Sequence, residues 1–231
     1  MTVQRFPAIV FDFDGTLVDS AADLRTALNR TLAEAGLEPV AGDAVRRMIG
    51  DGAAKLVERG FAARAMPLAA PELERWTRRF LEIYEPISAD QTAPYPGVVA
   101  TLEMLAARGH RLGLCTNKPE RATRLMLQRL GLDRLLGAVV GGDTLAVRKP
   151  RPEPLLAALA GLGIAAASAV MVGDNEHDVA TAHAAGVPIV VVAYGYSRTP
   201  LDELGADARI AAFAELPSAL DALALSRRAE A

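Results

Sequence analysis

The sequence predicts an α/β protein: a doubly wound, Rossmann-like parallel sheet forms the core, and an all-helical domain is inserted into it. Two observations support this prediction. Short apolar runs alternate with helical periodicity over most of the 231 residues, which is typical of a parallel sheet covered by helices on both faces. By contrast, a segment of roughly seventy residues after the first apolar run shows helical periodicity only.

Apolar runs of strand length occur at six places along the chain, and the first is 8–11. The run 190–192 consists of valine alone, as expected for a central strand that is buried on both faces. The later candidate strands are 111–115, 138–140, 169–172, 188–192 and a weaker one near 208–210. The helices predicted between them lie near 98–108, 120–130, 154–162 and 176–185.

The helical insert begins directly after the first strand. Ser20 followed by Asp23 resembles a helix N-cap, and Gly36 is expected to end this first helix. Its apolar face is formed by Leu24, Leu28, Leu32 and Ala35. Further helices are predicted at 42–49, 53–64 and 71–84.

The domain boundaries follow from where this helical periodicity starts and stops. Segment 92–97 contains two prolines and a glycine, which predicts a linker that returns the chain to the sheet. Residues 1–18 and 92–231 are therefore expected to form the catalytic core, and residues 19–91 a helical domain that controls access to it. Residues 226–231 are expected to be a frayed polar tail.

Composition and charge exclude several classes of function. With 25 basic and 28 acidic residues the net charge is −3. This charge provides no positive electrostatic potential that would attract nucleic acid. No apolar run is long enough to span a membrane, and residues 1–7 lack the apolar stretch of a signal peptide. The single cysteine, Cys115, is expected to be a small buried core residue. We expect a cytoplasmic monomer or homodimer with no nucleic-acid or membrane partner.

Two carboxylates lie where the first strand ends. Asp12 and Asp14 are two residues apart, so an extended chain would place both on the same side. Like charges this close are costly unless a cation or a shared proton relieves the repulsion. A simple strand-end turn would explain an isolated Asp-x-Asp. The complete Asp-x-Asp-Gly-Thr after an apolar strand favours a functional site.

Three further loops at or after strand ends are polar. Ligands of open parallel sheets bind at the carboxyl ends of the strands, so we expect these loops to meet Asp12 and Asp14. Each has a simpler interpretation: Thr116 and Asn117 as a helix cap, Lys149 as a solvated side chain, and the acidic loop as another cap with Asp178 exposed on its helix. The loops are Thr116-Asn117-Lys118, Val147-Arg148-Lys149-Pro150 and Gly173-Asp174-Asn175-Glu176-His177-Asp178.

A hydroxyl, a lysine and several carboxylates together are the functional groups typical of a Mg²⁺-assisted phosphoryl-transfer site. A hard divalent cation and a lysine neutralise the anionic phosphate ester, so that an anionic nucleophile can approach phosphorus. Hydroxyl and backbone N–H groups hold the remaining phosphoryl oxygens. A carboxylate nucleophile would form an aspartyl-phosphate, which water can then hydrolyse.

These segments resemble the four sequence motifs of the haloacid dehalogenase superfamily, in order and at suitable spacing. The resemblance covers essentially the whole chain, and the insert resembles the cap domain of the first structural subclass. Within the superfamily the chain is most similar to the bacterial phosphoglycolate phosphatases. The segments on which this rests are 11–20, Thr116-Asn117-Lys118-Pro119, Gly141-Gly142-Asp143-Thr144-Leu145, Arg148-Lys149-Pro150 and Ala193-Tyr194-Gly195-Tyr196.

The resemblance implies a role for each motif residue. Asp12 would be the nucleophile and Asp14 the general acid/base, and an acid at this position indicates phosphate chemistry because a halide needs no proton on leaving. Thr116, Asn117 and Lys149 would bind the phosphoryl group. The implied Mg²⁺ ligands are the Asp12 carboxylate, the Asp14 main-chain carbonyl and Asp174, with Asp178 beside the metal or bound to it through water.

Substrate selection would come mainly from the cap. Gly50-Asp51-Gly52 resembles its substrate loop, where glycines allow close approach of the backbone to a ligand. Arg46 and Arg47 could meet a second anionic group of the substrate, or could be solvated arginines on a helix face. Trp76, Phe80 and Tyr84 are expected to pack within the cap, and His177 to lie on the surface at a helix start.

The expected activity is Mg²⁺-dependent hydrolysis of a small phosphate monoester through an aspartyl-phosphate, with 2-phosphoglycolate, giving glycolate and phosphate, as the leading substrate. Another small phosphorylated metabolite or pyrophosphate is an alternative. A phosphomutase similar to β-phosphoglucomutase would retain every core residue and differ in how its cap excludes water. A phosphorylatable signalling module resembling a receiver domain is the non-enzymatic alternative.

Overall fold

A computed structural model describes residues 6–229 of the chain. Its strands are β1 (Ala8–Phe11), β2 (Val18–Asp19), β3 (Ala93–Pro94), β4 (Arg111–Cys115), β5 (Ala138–Val140), β6 (Ala169–Gly173), β7 (Ile189–Val192) and β8 (Ala208–Ile210). Its helices are α1 (Ala21–Glu34), α2 (Gly42–Arg46), α3 (Ala53–Ala62), α4 (Ala70–Ile87), α5 (Val98–Ala107), α6 (Glu120–Arg129), α7 (Glu153–Leu162), α8 (Glu176–Ala184) and α9 (Leu216–Ala229).

Six strands form one sheet in the order β5-β4-β1-β6-β7-β8, and every neighbouring pair is parallel. The chain leaves the central β1, builds β4 and β5 on one side, and then crosses over to build β6, β7 and β8 on the other. This reversal makes the carboxyl end of β1 a topological switch point, where ligands of such sheets bind.

The two faces of the sheet bury different residues because side chains alternate along each strand. Ile9 and Phe11 of β1 pack on the face that includes apolar residues of α5, α6 and α9. Ala8 and Val10 pack on the opposite face with residues of α7 and α8. Helices therefore cover both faces, and the predicted doubly wound parallel sheet is confirmed.

The segment between β2 and β3 contains only the helices α1 to α4. These helices lie within the predicted insert and pack against one another, with α4 against both α1 and α3. Chain segments at the two ends of the insert pair as an antiparallel ribbon, in which Val18 lies opposite Pro94 and Asp19 opposite Ala93. The predicted linker at 92–97 is thus partly a strand. The division into two domains stays a prediction.

Ser20 was predicted to cap α1 with its side chain, and this prediction is wrong. Ser20 occupies the cap position, but its hydroxyl donates to Asp14 Oδ1 at 2.6 Å instead of accepting from the first turn of the helix. The Asp23 carboxylate accepts from the main-chain N–H of Gln91 and from both N–H and hydroxyl of Thr92, the last at 2.7 Å. Asp23 therefore ties the start of the insert to its end.

The helix α9 was not predicted from the sequence. Its apolar residues Leu216, Leu220 and Leu223 are buried against the sheet, and the backbone stays helical to Ala229. The predicted polar tail is therefore helical up to that residue, and its last two residues lie outside those described. None of the described helices is both long and apolar enough to cross a membrane.

Candidate active site

The strand ends predicted to meet do so at the carboxyl edge of the sheet. Phe11 at the end of β1 lies in register with Leu114 of β4 and Val172 of β6. The main-chain N–H of Asp12 continues this pairing with a bond to Val172 O at 2.9 Å. Asp12, Thr116 and the residues after Val172 are thereby placed side by side, as the topology requires.

Lys149 lies between two carboxylates at the centre of this edge. Its ammonium group is 2.8 Å from Asp12 Oδ1 and 2.6 Å from Asp178 Oδ1, and all three side chains are buried. Burial raises the pKa of Asp12 to about 6 against the opposing effect of Lys149. Burial alone would lower the pKa of Lys149, but Asp12 and Asp178 outweigh it and raise that pKa. Lys149 is therefore a buried cation and not a solvated one.

Asp174 is fully buried and its carboxylate is held by three donors. Thr16 Oγ1 donates to Oδ1 at 3.1 Å, the Asn175 amide to the same oxygen at 3.2 Å, and the main-chain N–H of Tyr196 to Oδ2 at 2.6 Å. Even so, burial and the nearby Asp178 raise the pKa of Asp174 well above its usual value. The carboxylate is fixed in position but electrostatically under-compensated.

The backbone around Asp174 approaches it too closely for side chains. Gly15 has a φ of +91°, and a Cβ there would lie 2.6 Å from Asp174 Oδ2. A Cβ on Gly195 would lie 2.2 Å from the Asp174 Cβ. Glycine is required at both positions, since real Cβ atoms do not make contacts this short.

Asp178 is buried, so its predicted alternative as an exposed helix residue is wrong. Its Oδ2 accepts from the main-chain N–H groups of Asp174 at 3.0 Å and Asn175 at 3.2 Å, which forms one half of the capping box of α8. Its Oδ1 faces Lys149. One carboxylate thus both begins the helix and positions the lysine.

Carboxylate oxygens of Asp12, Asp174 and Asp178 lie within 4.8 Å of one another. Three buried carboxylates with one neighbouring ammonium group, that of Lys149, leave an excess of negative charge. Oxygen ligands of this kind suit a hard divalent cation, which would remove the excess. The residues present therefore fit the metal that the family motifs imply.

Asp14 has surroundings quite different from those of Asp12. Its carboxylate is 3.1 Å and 3.2 Å from the ammonium group of Lys118, and Ser20 donates to it as described above. Lys118 Nζ also donates to the Tyr84 hydroxyl at 2.6 Å. Burial alone would lower the pKa of Lys118, but Asp14 and Tyr84 outweigh it and raise that pKa. The two aspartates therefore have separate lysine partners.

A cavity between the sheet edge and the insert is bounded by both aspartates. Its sheet side is polar, and its insert side is mostly apolar, with Lys118 and Tyr84 where the two meet. The lining residues are Asp12, Asp14, Leu24, Ile49, Gly50, Gly52, Ala53, Leu56, Phe80, Leu81, Tyr84, Thr116, Asn117, Lys118 and Pro119. A small ligand in this cavity would contact the core and the insert at once.

Thr116 and Asn117 both line the cavity, but their side chains differ in availability. The Thr116 hydroxyl accepts from Lys118 N at 3.3 Å and keeps its own proton for a ligand. The Asn117 amide donates to Gly50 O at 3.0 Å and to Lys149 O at 3.2 Å. Asn117 thus joins the insert to the lysine loop, and its role in binding phosphate stays a prediction.

The four cap residues proposed from the sequence separate into two pairs. Gly50 and Gly52 line the cavity, and a Cβ on Gly52 would lie 2.8 Å from Asn117 O. Arg46 instead pairs with Asp19 at 2.8 Å and lies over the Tyr196 ring, and Arg47 is exposed. Neither arginine lines the cavity, so their predicted contact with substrate has no support in this geometry.

A second charged cluster, the Asp51 cluster, joins the insert to the core. It consists of Asp51 and Arg59 from the insert and His177 and Arg198 from the core. The Asp51 carboxylate is 2.8 Å from Arg198 Nη1 and 2.5 Å from both Arg59 Nη1 and His177 Nε2. His177 does lie at a helix start, as predicted, but it contacts the insert.

For four residues that shape the site, no individual role in it was predicted from the sequence. Lys118 and Tyr84 meet in the cavity, while Ser20 and the Tyr196 main chain hold Asp14 and Asp174. Lys118 belongs to the polar loop Thr116-Asn117-Lys118, and this position was a signal that could have indicated its role. Tyr84 was assigned to packing, and it does stack on Phe80 with ring centroids 5.6 Å apart, but its hydroxyl also binds the lysine.

Comparison with known proteins identifies the family. The family model described as haloacid dehalogenase-like hydrolase matches residues 9–192. The chain belongs to this family. It is 53% identical over 213 residues to a phosphoglycolate phosphatase of Rhodospirillum rubrum, with 90% of this chain and 88% of the relative covered. It is 43% identical to the phosphoglycolate phosphatase of Caulobacter vibrioides, with 91% and 89% covered.

Among solved haloacid dehalogenase-type structures, a predicted phosphoglycolate phosphatase from Haemophilus somnus superposes with a TM-score of 0.88. The two are 31% identical, and the match covers 94% of this chain and 98% of that one. The resemblance inferred from four short motifs is thereby confirmed at the level of family and fold. The chain is an enzyme, a hydrolase of the haloacid dehalogenase type.

Proposed function

We propose that the chain is a Mg²⁺-dependent phosphomonoesterase that hydrolyses 2-phosphoglycolate to glycolate and phosphate. The observation that carries the proposal is that the two aspartates have different partners: Asp12 pairs with Lys149, and Asp14 pairs with Lys118. The names of its relatives support the substrate. The small-molecule ester would be its partner in the cytoplasm, and the enzyme would act as a monomer or homodimer.

In the first half-reaction the Asp12 carboxylate attacks phosphorus and the bond from phosphorus to the glycolate oxygen breaks. Lys149 holds Asp12 in place and, with the Thr116 hydroxyl, would bind phosphoryl oxygens. Asp14 also lines the cavity and would give its proton to the departing oxygen. The products of this half-reaction are glycolate and an aspartyl-phosphate on Asp12.

In the second half-reaction water attacks the same phosphorus, and Asp14 takes up the proton of that water. The bond between Asp12 and phosphorus breaks, which regenerates both carboxyl groups for the next turnover. The Asp12 carboxylate, the Asp14 carbonyl and Asp174 would hold Mg²⁺, and the ion when bound supplies positive charge that reduces repulsion between nucleophile and phosphate.

Phosphate release from a panel of esters tests this function. The panel contains 2-phosphoglycolate, sugar phosphates, nucleotides and pyrophosphate, each measured with and without Mg²⁺. We expect Mg²⁺-dependent release with the highest kcat/KM for 2-phosphoglycolate. Asp12→Asn should abolish turnover, and the folding of this variant is checked by its thermal unfolding.

Other outcomes would overturn the proposal. Substantial turnover in Asp12→Asn would show that the nucleophile is another residue. A requirement for a bisphosphate activator would indicate a phosphomutase, and an aspartyl-phosphate that persists for minutes would indicate a signalling module.

A further inference from the structure

Lys118 is the one positively charged residue among the described residues that line the cavity. Its side chain is only 4% exposed, and its ammonium group lies at the junction of the polar and apolar walls. The other buried lysine of the site, Lys149, is already placed between two carboxylates of the core. Lys118, by contrast, pairs with the carboxylate of Asp14 and itself lines the cavity.

The position of Lys118 relates it to the leaving group. Its Nζ is 3.1 Å from Asp14 Oδ2, and Asp14 is the residue that would protonate the leaving oxygen. In 2-phosphoglycolate the carboxyl carbon is only two bonds from that oxygen. The carboxylate of 2-phosphoglycolate would therefore lie within reach of the Lys118 ammonium group, which contacts Asp14. An ammonium group has three donors, so it can add an acceptor to Asp14 and Tyr84.

The rest of the cavity wall offers little to a larger polar substrate. Around Lys118 and Tyr84 the insert presents Leu24, Ile49, Leu56, Phe80 and Leu81. Sugar hydroxyl groups placed against such side chains would lose hydrogen bonds to water without replacement, which is costly. The wall thus favours a short substrate whose second polar group is an anion.

We propose that Lys118 binds the carboxylate of the substrate and so selects phosphate esters with an anionic group next to the ester oxygen. Tyr84, from helix α4 of the insert, is the positioning residue that holds the ammonium group by its 2.6 Å hydrogen bond. The inference rests on the proposed function, since it names the group that distinguishes the proposed substrate from other esters.

Binding without turnover tests the role of Lys118. The ligands are 2-phosphoglycolate and 2-hydroxyethyl phosphate, which replaces the carboxylate by an uncharged hydroxymethyl group. Both are titrated calorimetrically, with Mg²⁺ present, into Asp12→Asn and into Asp12→Asn/Lys118→Met. We expect the first protein to bind 2-phosphoglycolate about tenfold or more tightly than the other ligand. Adding Lys118→Met should reduce this ratio to about threefold or less, through 2-phosphoglycolate alone.

The controls separate charge recognition from folding. Lys55→Met removes an exposed lysine of the insert that is paired with Glu58, and should change neither affinity. Lys118→Arg keeps the charge and should retain part of the ratio. Tyr84→Phe removes one oxygen and should lower the ratio about two- to fivefold, whereas a purely structural role would weaken both ligands equally.

An unchanged ratio in the Lys118→Met background would overturn the inference. Equal weakening of both ligands would also overturn it, because Lys118 would then bind the phosphoryl group. If Lys118→Met does not fold, Tyr84→Phe decides, and an unchanged ratio there refutes the inference. Turnover by the wild-type enzyme is a separate measurement. If the wild-type enzyme releases no phosphate from 2-phosphoglycolate, the proposed function is wrong. The ratio of the two binding constants still shows whether Lys118 binds the carboxylate.

Discussion

At the scale of single residues, Asp12 and Asp14 lie only two positions apart, but their neighbours give the two carboxyl groups different surroundings. Asp12 is buried against Lys149, and burial raises its pKa. Asp14 is less buried and is held by Lys118 and Ser20 at the side of the cavity. A carboxylate held by a buried lysine suits attack on phosphorus, and one at the side of the cavity suits proton transfer.

Asp14→Asn should slow turnover in a way that depends on the leaving group. An alkyl alcohol such as glycolate needs a proton on departure, so we expect kcat/KM, which reports the steps up to that departure, to fall by about 10² to 10⁴ with 2-phosphoglycolate. 4-Nitrophenyl phosphate releases a stable phenolate and should lose much less. Steady-state kinetics with both esters measures this, and Asp12→Asn, which should abolish both reactions, is the matched comparison. Equal losses with the two esters would contradict the acid role.

Cys115 should not react as a nucleophile in the folded protein. It is fully buried at the end of β4, and burial raises the pKa of its thiol to about 12. The thiolate is the reactive form, so we expect labelling by a thiol reagent at pH 8 to be slower by about two orders of magnitude than in guanidinium chloride. One thiol per chain should react after unfolding. Fast labelling of the native enzyme would show that this strand end opens readily.

At the scale of elements, the loop before α3 is bound to the core by the Asp51 cluster. Burial alone would raise the pKa of Asp51, but hydrogen bonds from Arg198 and Arg59 outweigh it and lower that pKa to about 2. A carboxylate whose pKa is lower in the folded state stabilises the fold above its unfolded pKa of about 4. This contribution is lost as the pH falls through the folded value, between about pH 4 and pH 2.

Asp51→Asn should therefore lower the free energy of unfolding by about 1 kcal/mol at pH 7, a modest value because the cluster is partly solvated. The loss should be smaller at pH 3. Urea unfolding at the two pH values measures the difference. Glu74→Gln, which breaks an exposed ion pair with Arg78 elsewhere in the insert, is the control and should have almost no effect. The same loss at both pH values would show that Asp51 acts through packing and not through its charge.

The predictions from sequence succeeded where a local pattern and a topological rule were sufficient. Apolar runs located all six strands of the sheet, and the rule that strand ends meet brought Asp12, Thr116 and Asp174 together. Contacts between the insert and the core could not be predicted in this way, because they depend on how the helical insert docks on the loops at the edge of the sheet. Lys118 meets Tyr84 across 34 positions of sequence, and no periodicity predicts that contact.

At the scale of the whole molecule, the doubly wound sheet gathers acidic groups from distant parts of the chain at one edge. Asp12 and Asp174 are brought together because β1 and β6 are neighbours although far apart in sequence. The cost is electrostatic: Asp178 and Asp12 add to burial in raising the pKa of Asp174. A carboxyl group whose pKa is higher in the folded state than in the unfolded chain destabilises the fold at neutral pH. The cluster of buried carboxylates therefore lowers the stability of the fold at neutral pH.

Removing one of these charges should therefore stabilise the metal-free enzyme and abolish its response to metal. We expect Asp174→Asn to raise the Tm in EDTA by about 2–4 °C, corresponding to about 1 kcal/mol for a chain of this size. Saturating Mg²⁺ should raise the Tm of the wild type by linkage, and that of Asp174→Asn hardly at all. Asp221→Asn, at an exposed position of α9, controls for net charge and should behave as the wild type.

Differential scanning calorimetry with and without Mg²⁺ distinguishes this account from a purely structural one. If Asp174 served mainly to hold Thr16 and the Tyr196 main chain, its replacement would lower the Tm in EDTA and leave the Mg²⁺ shift intact. A rise in EDTA together with loss of the shift is expected only if the carboxylate is strained by its neighbours until a cation binds. The Tm of Asp174→Asn measured in EDTA and in Mg²⁺ thus shows whether Asp174 is a metal ligand or only a structural hydrogen-bond acceptor.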